Sequence, residues 1–521
     1  MTRALFRSMV LNEARLRLRR GSTQVLMLVA SLFMWFMIVD PSTGSTMLAA
    51  NSARVAYNST ALALGSSVLA TSLLGLFGFF LVRGRADEDL RSGIGGVLAT
   101  LPVSNASLIV GRWAGSVLYL STLIVVLALT MCVLQAVRGE GAIAPLVYFQ
   151  FYALTILPNI FFIAAMAVMF ESYRPLMGKM GDLVYFLFWL AQITATAVFS
   201  SMNQEGVAPL AFDVTGVGVL TQHAQQLLHT TTLAVGFNEF DAALPAVFLT
   251  GNFWNWPMVL TRFAAVLVSI IPLVIAVKLF HRFSPDKVSV SASTRRPWAI
   301  FASFNRLLRP LDVLSRVTLR LSARLPRVLG QVGAELALTF AASPLTGLLM
   351  VLFVAAGAVL DYAMLPWLLL AAVAYWGLVI SELSVRDFKA DTECMGSAVV
   401  GGANQRYWRQ SAAAIVLGLL LSASVMWRWA VEEPLRALCL GSGIVALASL
   451  AQLLGRATRT GRTFTVLFLC GLYIVTQAGP VPALDVLGMH GKASAASIFQ
   501  EFSVGIAFLI AGFVYNRWRA L

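Results

Sequence analysis

Long apolar runs, each close to the length of one bilayer crossing and separated by charged punctuation, dominate this chain. In lipid every backbone N–H and C=O must be satisfied internally, so only helices and closed barrels can span. A barrel would show short alternating strands, and here the runs are continuous, which predicts an all-α integral membrane protein. The 59% hydrophobic and 12% charged residues, with mean hydropathy +0.80, exclude a soluble enzyme, a nucleic-acid binder and a disulfide scaffold. Soluble domains carry about a quarter charged residues. At about 20 residues per span, the 521 residues leave ample room for twelve spans.

The runs fall near 21–39, 60–82, 111–136, 145–170, 182–200 and 258–280, then near 344–361, 364–381, 411–428, 435–454, 463–478 and 499–516. The run 345–380 is broken only at 361–366, which reads as a tight external hairpin. Arg83, Arg112, Lys179 and Arg282 mark one side of the first set; Arg386, Arg409, Arg456, Arg459, Arg517 and Arg519 mark it in the second. No Lys or Arg lies between Lys179 and Arg262. By the positive-inside rule, both termini are expected in the cytoplasm of a bacterial inner membrane, with 201–256 outside. The net charge of +14 therefore follows membrane side and does not imply nucleic acid.

The layout suggests a diverged duplication: a first six-span half over 1–282, a basic linker over 283–330 and a second half over 331–521. Each half has a charged loop after its second span, over 83–112 and 382–409. The linker starts Ser-rich (Ser284, Ser289, Ser291, Ser293), and then Arg306, Arg309, Arg316, Arg320, Arg324 and Arg327 recur at helical spacing. Leu307, Leu311, Leu314, Val317 and Leu321 populate another face. Pro310 and Pro326 confine a helix to about 311–325, lying on the membrane with Arg toward anionic headgroups. The alternative is a solvated basic linker.

Catalytic signals are sparse. There is no phosphate-binding loop, H-E-x-x-H or G-x-S-x-G. His223, His229, His281 and His490 are scattered, as are Cys132, Cys394, Cys439 and Cys470, which argues against a metal centre or disulfides. About twenty amphipathic residues precede the first apolar run, unlike a cleavable signal peptide. Acidic residues mostly sit at span ends: Glu171, Asp182, Glu382 and Asp361.

The most informative segment runs Asp87-Glu88-Asp89-Leu90-Arg91-Ser92-Gly93-Ile94-Gly95-Gly96-Val97-Leu98-Ala99-Thr100-Leu101-Pro102-Val103-Ser104, followed by Gly111-Arg112-Trp113. A short helix there with apolar teeth (Ile94, Val97, Leu98) could seat in a groove of a partner, and Pro102 would end it. A generic capped loop is the plain alternative. The segment resembles the cytoplasmic loop of type-2 ABC exporter permeases, where an acidic cluster and a glycine precede L-[AS]-T-x-P-[VI]-S and a Gly-Lys or Gly-Arg pair opens the third span. Glu88, Leu98, Ala99, Thr100, Pro102, Val103, Ser104, Gly111 and Arg112 match that pattern.

The resemblance implies a permease of two six-helix halves, with amphipathic elbow helices and cytoplasmic coupling helices. Two copies of a separate ATPase subunit would carry ATP and Mg, with no cofactor on this chain. The cargo would be a hydrophobic or amphipathic compound, such as a drug-like metabolite, a lipid-linked molecule or a peptide, moved outward. Glu88, Ile94, Val97, Leu98, Thr100 and Pro102 would form the coupling helix. In the second loop Arg386, Asp387, Lys389, Asp391, Glu393 and Met395 stand in the corresponding place, but Gly401-Gly402 replace the proline turn, so that contact is expected to be weaker.

Leu5, Phe6, Met9 and Val10, interleaved with Arg3, Arg7 and Glu13, look like an elbow helix, and 331–342 with Glu335 looks like its counterpart; simple juxtamembrane anchors are the alternative. A pathway between spans two and five of each half would be walled by Ser67, Thr71, Gln192, Thr194, Thr196, Tyr375 and Gln477. Helix-to-helix hydrogen bonding explains the same residues. The aromatic stretch Phe237, Phe240, Phe248, Phe253, Trp254 and Trp256 suits either a short external capping structure or an interface belt. Two other classes remain open. An ion-coupled carrier would need titratable groups buried in the spans. A membrane-embedded transferase or protease would need a cluster of Glu, His or Asp at one membrane face.

Overall fold

A computed structural model describes residues 3–100, 102–173, 176–177, 179–201, 213–249, 253–281, 312–390, 392–393, 395, 402–477 and 485–520. The chain forms two compact units that divide at Arg295, within the expected linker. Ser284 to Ser293, Arg306, Leu307, Arg309 and Leu311 of that linker lie outside the described residues, as do Asp391, Cys394 and Gly401.

Both units are mainly helical. Among the described residues seven helices are long and apolar enough to cross a membrane, and up to nine if each of two bent pairs counts as one span. In the first unit the helices are α1 (Arg3–Leu18), α2 (Gly21–Met37), α3 (Ser59–Val82), α4 (Arg85–Arg91), α5 (Ile94–Thr100), α6 (Asn105–Arg138), α7 (Pro145–Phe151), α8 (Leu157–Ser172), α9 (Lys179–Ser201), α10 (Val217–Leu228) and α11 (Trp256–Leu279). A π-helical turn, Tyr152–Ile156, joins α7 to α8 just before Pro158, which cannot donate to the ladder.

Glycine sets the closest helix contacts. The amphipathic α1 lies against α6 where Gly111 and Gly115 face it: a Cβ on Gly115 would stand 2.6 Å from Glu13 Cβ and 3.1 Å from the Val10 carbonyl. Small residues four apart let helix backbones approach in this way. Gly75 does the same for α9, where Trp189 Nε1 donates to the Ser72 carbonyl at 3.0 Å and the Tyr185 ring stacks on Phe79 at 3.5 Å.

The all-α expectation needs one correction. Two loops at the end of α3 opposite Arg83 build a three-stranded antiparallel sheet from β1 (Ser45–Ala50), β2 (Ala53–Arg54) and β3 (Leu233–Glu239), in the order β2-β1-β3. Only six and seven residues long in its main strands, it escaped a search for apolar periodicity. Together with α10 it forms a short capping structure that draws on the described residues of 213–249, one of the two forms expected for the aromatic stretch. Phe253 is buried against Phe151, with ring centroids 4.8 Å apart, whereas Trp256 is exposed. Arg262, inside the apolar α11, is fully buried and donates from Nη2 to the Asp213 carbonyl at 2.7 Å, while the Asp213 carboxylate accepts from the amides of Gly216 (2.9 Å) and Val219 (3.2 Å) at the start of α10. Gly216 holds φ +79° there, and a Cβ would meet Arg262 Nη1 at 2.5 Å.

The second unit contains α12 (Asp312–Arg324), α13 (Arg327–Ala342), α14 (Pro344–Val359), α15 (Leu365–Leu383), α16 (Arg386–Lys389), α17 (Gly402–Leu421), α18 (Ala423–Glu432), α19 (Pro434–Thr458), α20 (Gly461–Gln477) and α21 (Ala495–Ala520). The basic helix expected over 311–325 is α12, with Arg316, Arg320 and Arg324 exposed and Ser322 packed on Gly330 and Gly333 of α13. One expected span, 411–428, is bent, and the expected lead-in helix turns sharply into the span after it. The helix 344–359 meets α13 at 103°, and α17 meets α18 at 68°. Ser422 sits at the second bend, where its Oγ donates to the Gly418 carbonyl at 2.8 Å, a local bond that competes with the helical ladder.

Gly115→Leu should force α1 off α6 and cost about 1–3 kcal/mol by overpacking, read as a lower melting temperature of the purified protein. Gly96→Leu, where a Cβ meets nothing within 4 Å, should leave it unchanged.

Candidate functional site

The loop after α3 is built by one glycine and one distant carboxylate. Gly84 holds φ +107°, a conformation that L side chains resist, and this turns three successive amides toward α8. The Glu171 carboxylate accepts from the Gly84 amide, from Arg85 N at 3.0 Å and from Ala86 N at 3.2 Å. An anion at those otherwise unpaired amides starts α4. Gly93, at φ +74°, ends it and α5 begins.

Behind α4 and α5 lies a chain of buried ion pairs. Glu13 on α1 accepts from Arg17 Nη2 at 2.8 Å and stands 3.4 Å from Arg85 Nε. Arg85 Nη2 reaches Asp89 Oδ1 at 3.0 Å, and Arg112 Nη2, from the start of α6, reaches Asp89 Oδ2 at 2.5 Å. The Asp89 side chain is 1% exposed. Burial pushes the Asp89 carboxyl above the ordinary aspartate value in spite of Arg112 and Arg85. At Glu13 burial acts in the same sense, but Arg17 and Arg85 outweigh it and hold that carboxyl below the usual range. Arg17 also donates to the Leu81 carbonyl at 3.2 Å, tying α1 to the end of α3.

The second unit repeats this wiring. Glu335 on α13 stands 3.4 Å from Arg386 Nη1 just beyond α15, and Arg386 Nη2 donates to Thr339 Oγ1 at 2.8 Å. Asp387 takes both faces of Arg406 at 2.6 Å, near the start of α17, and accepts from Gln410 Nε2 at 2.7 Å. Gln410 and Asn516 in turn receive Arg456, at 2.8 and 2.6 Å. Both units use a glutamate of the amphipathic lead-in helix, an arginine after the next-but-one helix, a nearby aspartate and an arginine early in the following long helix; the first unit links them in one chain, whereas the second pairs Glu335 with Arg386 and Asp387 with Arg406.

The expected coupling residues divide by direction. Ile94 (46% exposed) and Val97 (62%) point outward. Leu98 does not act as a third outward tooth: it is half-buried against the unit's own cluster of Ala86, Leu108, Ile109, Val168, Ala276 and Phe280, because the residue after Val97 lies about 100° further round the helix. Thr100 Oγ1 donates to the Val97 carbonyl at 2.9 Å, Pro102 is exposed beyond the helix end, and Ser104 caps α6. Glu88 is part-exposed and pairs with Arg20 at 2.5 Å. Among the described residues of the second loop, one helical turn, Arg386–Lys389, is followed by helical backbone at Glu393 and Met395; Lys389 pairs with Glu382 at 2.8 Å, and Glu393 and Met395 are exposed.

Within the first unit, the described residues expected to wall a pathway differ in burial and do not share one surface. Ser67 and Thr71 are completely enclosed in the first unit, and Asn159 Nδ2 donates to the Thr71 carbonyl at 3.1 Å. Gln192 is half-buried; Thr194 is exposed, its Oγ1 donating to the Leu190 carbonyl at 2.8 Å. Tyr375 and Thr346 share a hydroxyl hydrogen bond at 2.8 Å within the second unit. Thr196 and Gln477 lie in helices, but their side chains fall outside the described residues. The sequence reading missed Arg85, Asp89, Arg112, Glu171 and Arg406 as a set. Their one-dimensional signal was an acidic residue on each lead-in helix with Arg and Asp after the second apolar run.

No family model and no curated protein matches the chain.

Asp89→Ala should leave Arg85 and Arg112 buried without their carboxylate and destabilise the protein by about 3–5 kcal/mol. Glu88→Ala, which opens a part-exposed pair, should cost no more than about 1 kcal/mol. Thermal or denaturant unfolding in detergent distinguishes the two.

Proposed function

We propose that the chain is the twelve-span permease of an ATP-driven transporter of the type-2 ABC exporter kind, moving a hydrophobic or amphipathic compound outward. It works with two copies of a separate ATPase subunit that carry ATP and Mg, and its termini lie in the cytoplasm of a bacterial inner membrane. One observation carries this reading: α4 and α5 form a short helical elbow braced from behind by Glu171, Glu13, Arg85, Asp89 and Arg112 while Ile94 and Val97 are presented outward. A loop held this rigidly can pass a push to α3 and α6, and two exposed aliphatic side chains on a charged surface suit a groove on a partner. The wiring around Glu335, Arg386, Asp387 and Arg406 gives the second unit the same bracing, with Met395 as its exposed apolar side chain.

Val97→Asp should insert and melt like the parent yet lose co-purification with its ATPase, since a carboxylate buried unpaired at the contact costs several kcal/mol and about 1.4 kcal/mol is tenfold in affinity. Met395→Asp should do less. Undiminished assembly of the Val97 variant would sink the coupling role. Leu98→Asp is a poorer probe, because it would disturb the unit's own packing.

Sidedness has its own check. A cysteine at Ala242, beside the outer sheet, should react with an impermeant thiol reagent in intact cells, and one at Ser92 should react only after permeabilisation. The reverse pattern would invert the topology.

A further inference from the structure

The second unit holds a carboxylate inside an apolar helix that no described cation answers. Glu501 lies about 9 Å along α21 from Ala495, at 1.5 Å per residue, and is 9% exposed. Ser442 Oγ donates to its Oε2 at 2.9 Å. Cys439 Sγ stands 3.5 Å from the same oxygen but also 3.1 Å from the Asp485 carbonyl, so its single S–H serves one of them. Ser442 Oγ is also 2.9 Å from the Cys439 carbonyl, so its single O–H is shared as well. An ionised carboxylate can accept about four hydrogen bonds; this one has two shared donors.

The charged groups around it offer no counter-ion. Asp485, fully buried in the loop before α21, adds a second negative charge, and its own oxygens are occupied by the amides of His490 (3.0 Å) and Lys492 (3.2 Å). Arg436 on α19 is committed to Glu433 at 3.3 Å and to the carbonyls of Gly488 and Met489. Burying a charge without a partner is costly, so such a group is retained where something else supplies the charge.

Beside the carboxylate, a cleft of about 240 Å³ opens between α19 and α21. Glu501, Ser497 and Gln500 are its polar lining, and Leu447, Leu450, Val504 and Phe508 are among its apolar walls. Pockets for drug-sized ligands run to about 300–1,000 Å³, so this cleft suits one aryl or short alkyl arm. We propose that Glu501 is the charge-reading end of a site for an ammonium group carrying an apolar arm: the ammonium sits at the carboxylate with the Ser497 hydroxyl in reach, and the arm lies along Leu447, Leu450, Val504 and Phe508. The amine comes either from a free lipophilic amine or from an amine-headed lipid. The site does not depend on the transport reading, since it would bind in a protein of any activity.

The full chain in phosphatidylcholine nanodiscs is titrated calorimetrically with 2-phenylethylamine and with its neutral counterpart, 2-phenylethanol. The amine should bind saturably and about tenfold or more tighter than the alcohol, the difference one charge-assisted contact makes. Glu501→Gln keeps the shape and the Ser442 bond and should erase that preference. Leu450→Trp fills the cleft away from the carboxylate and should abolish binding of both ligands, which keeps the test decisive if the glutamine variant fails to fold. Phosphatidylethanolamine in the discs identifies the source. Competition with phenylethylamine in the parent but not in Glu501→Gln assigns the site to the lipid, and unchanged affinity assigns it to the free amine. Equal affinity for amine and alcohol in the parent, an amine preference that survives Glu501→Gln, or full amine affinity in Leu450→Trp overturns the proposal.

Discussion

A carboxylate taken out of water must be answered by cations placed around it, and Asp89 is the point where this requirement organises the first unit. Arg85 and Arg112 reach it from its own helix and from the head of α6, and Glu13 reaches Arg85 from α1. Ion pairs of this kind add little net stability, because desolvation consumes most of the attraction. What they supply is geometry: none of the partners can leave without stranding another. The lead-in helix, the loop and α6 are therefore held as one piece, and the outward position of Ile94 and Val97 follows from it.

Glu335, Arg386, Asp387 and Arg406 give the second unit the same logic in different spacing, with the arginine and aspartate adjacent where the first unit separates Arg85 and Asp89 by a turn. The two loops resemble each other in the charge types they pair although their residues hardly align. That is the expected result when partner charges can move along a helix so long as they still meet. The opposite end of the first unit is organised differently, by backbone pairing of β1 with β3 and by Arg262 reaching across to Asp213.

Much of this architecture was legible in order. Apolar runs marked most of the long helices, Pro326 stood beyond the end of the basic helix Asp312–Arg324, and Pro102 stood beyond the end of α5. Other features were hidden for physical reasons. The small sheet joins loops almost two hundred residues apart, and its strands are too short for periodicity to register. Leu98 and Val97 are chemically alike, and only the packing of α5 on Leu108, Ile109 and Phe280 sends one inward and the other outward. Arg262 and Glu501 fall inside apolar runs, where each reads as an isolated exception until its surroundings are known.

By itself the sequence determined the class of protein and its main secondary structure: so high an apolar content in bilayer-length runs can satisfy its backbone in lipid only as helices. Pairs such as Glu13–Arg17 and Arg85–Asp89 follow from helical spacing, but tertiary structure alone decided the partners that come from different helices, Glu13 with Arg85 and Asp89 with Arg112. Coulomb attraction and desolvation depend on distance and burial rather than on position in the chain. Asp89 and Glu501 are both buried carboxylates, yet Asp89 is closed between Arg85 of its own helix and Arg112 of α6, while Glu501 lines a cleft with a shared serine hydroxyl for a donor.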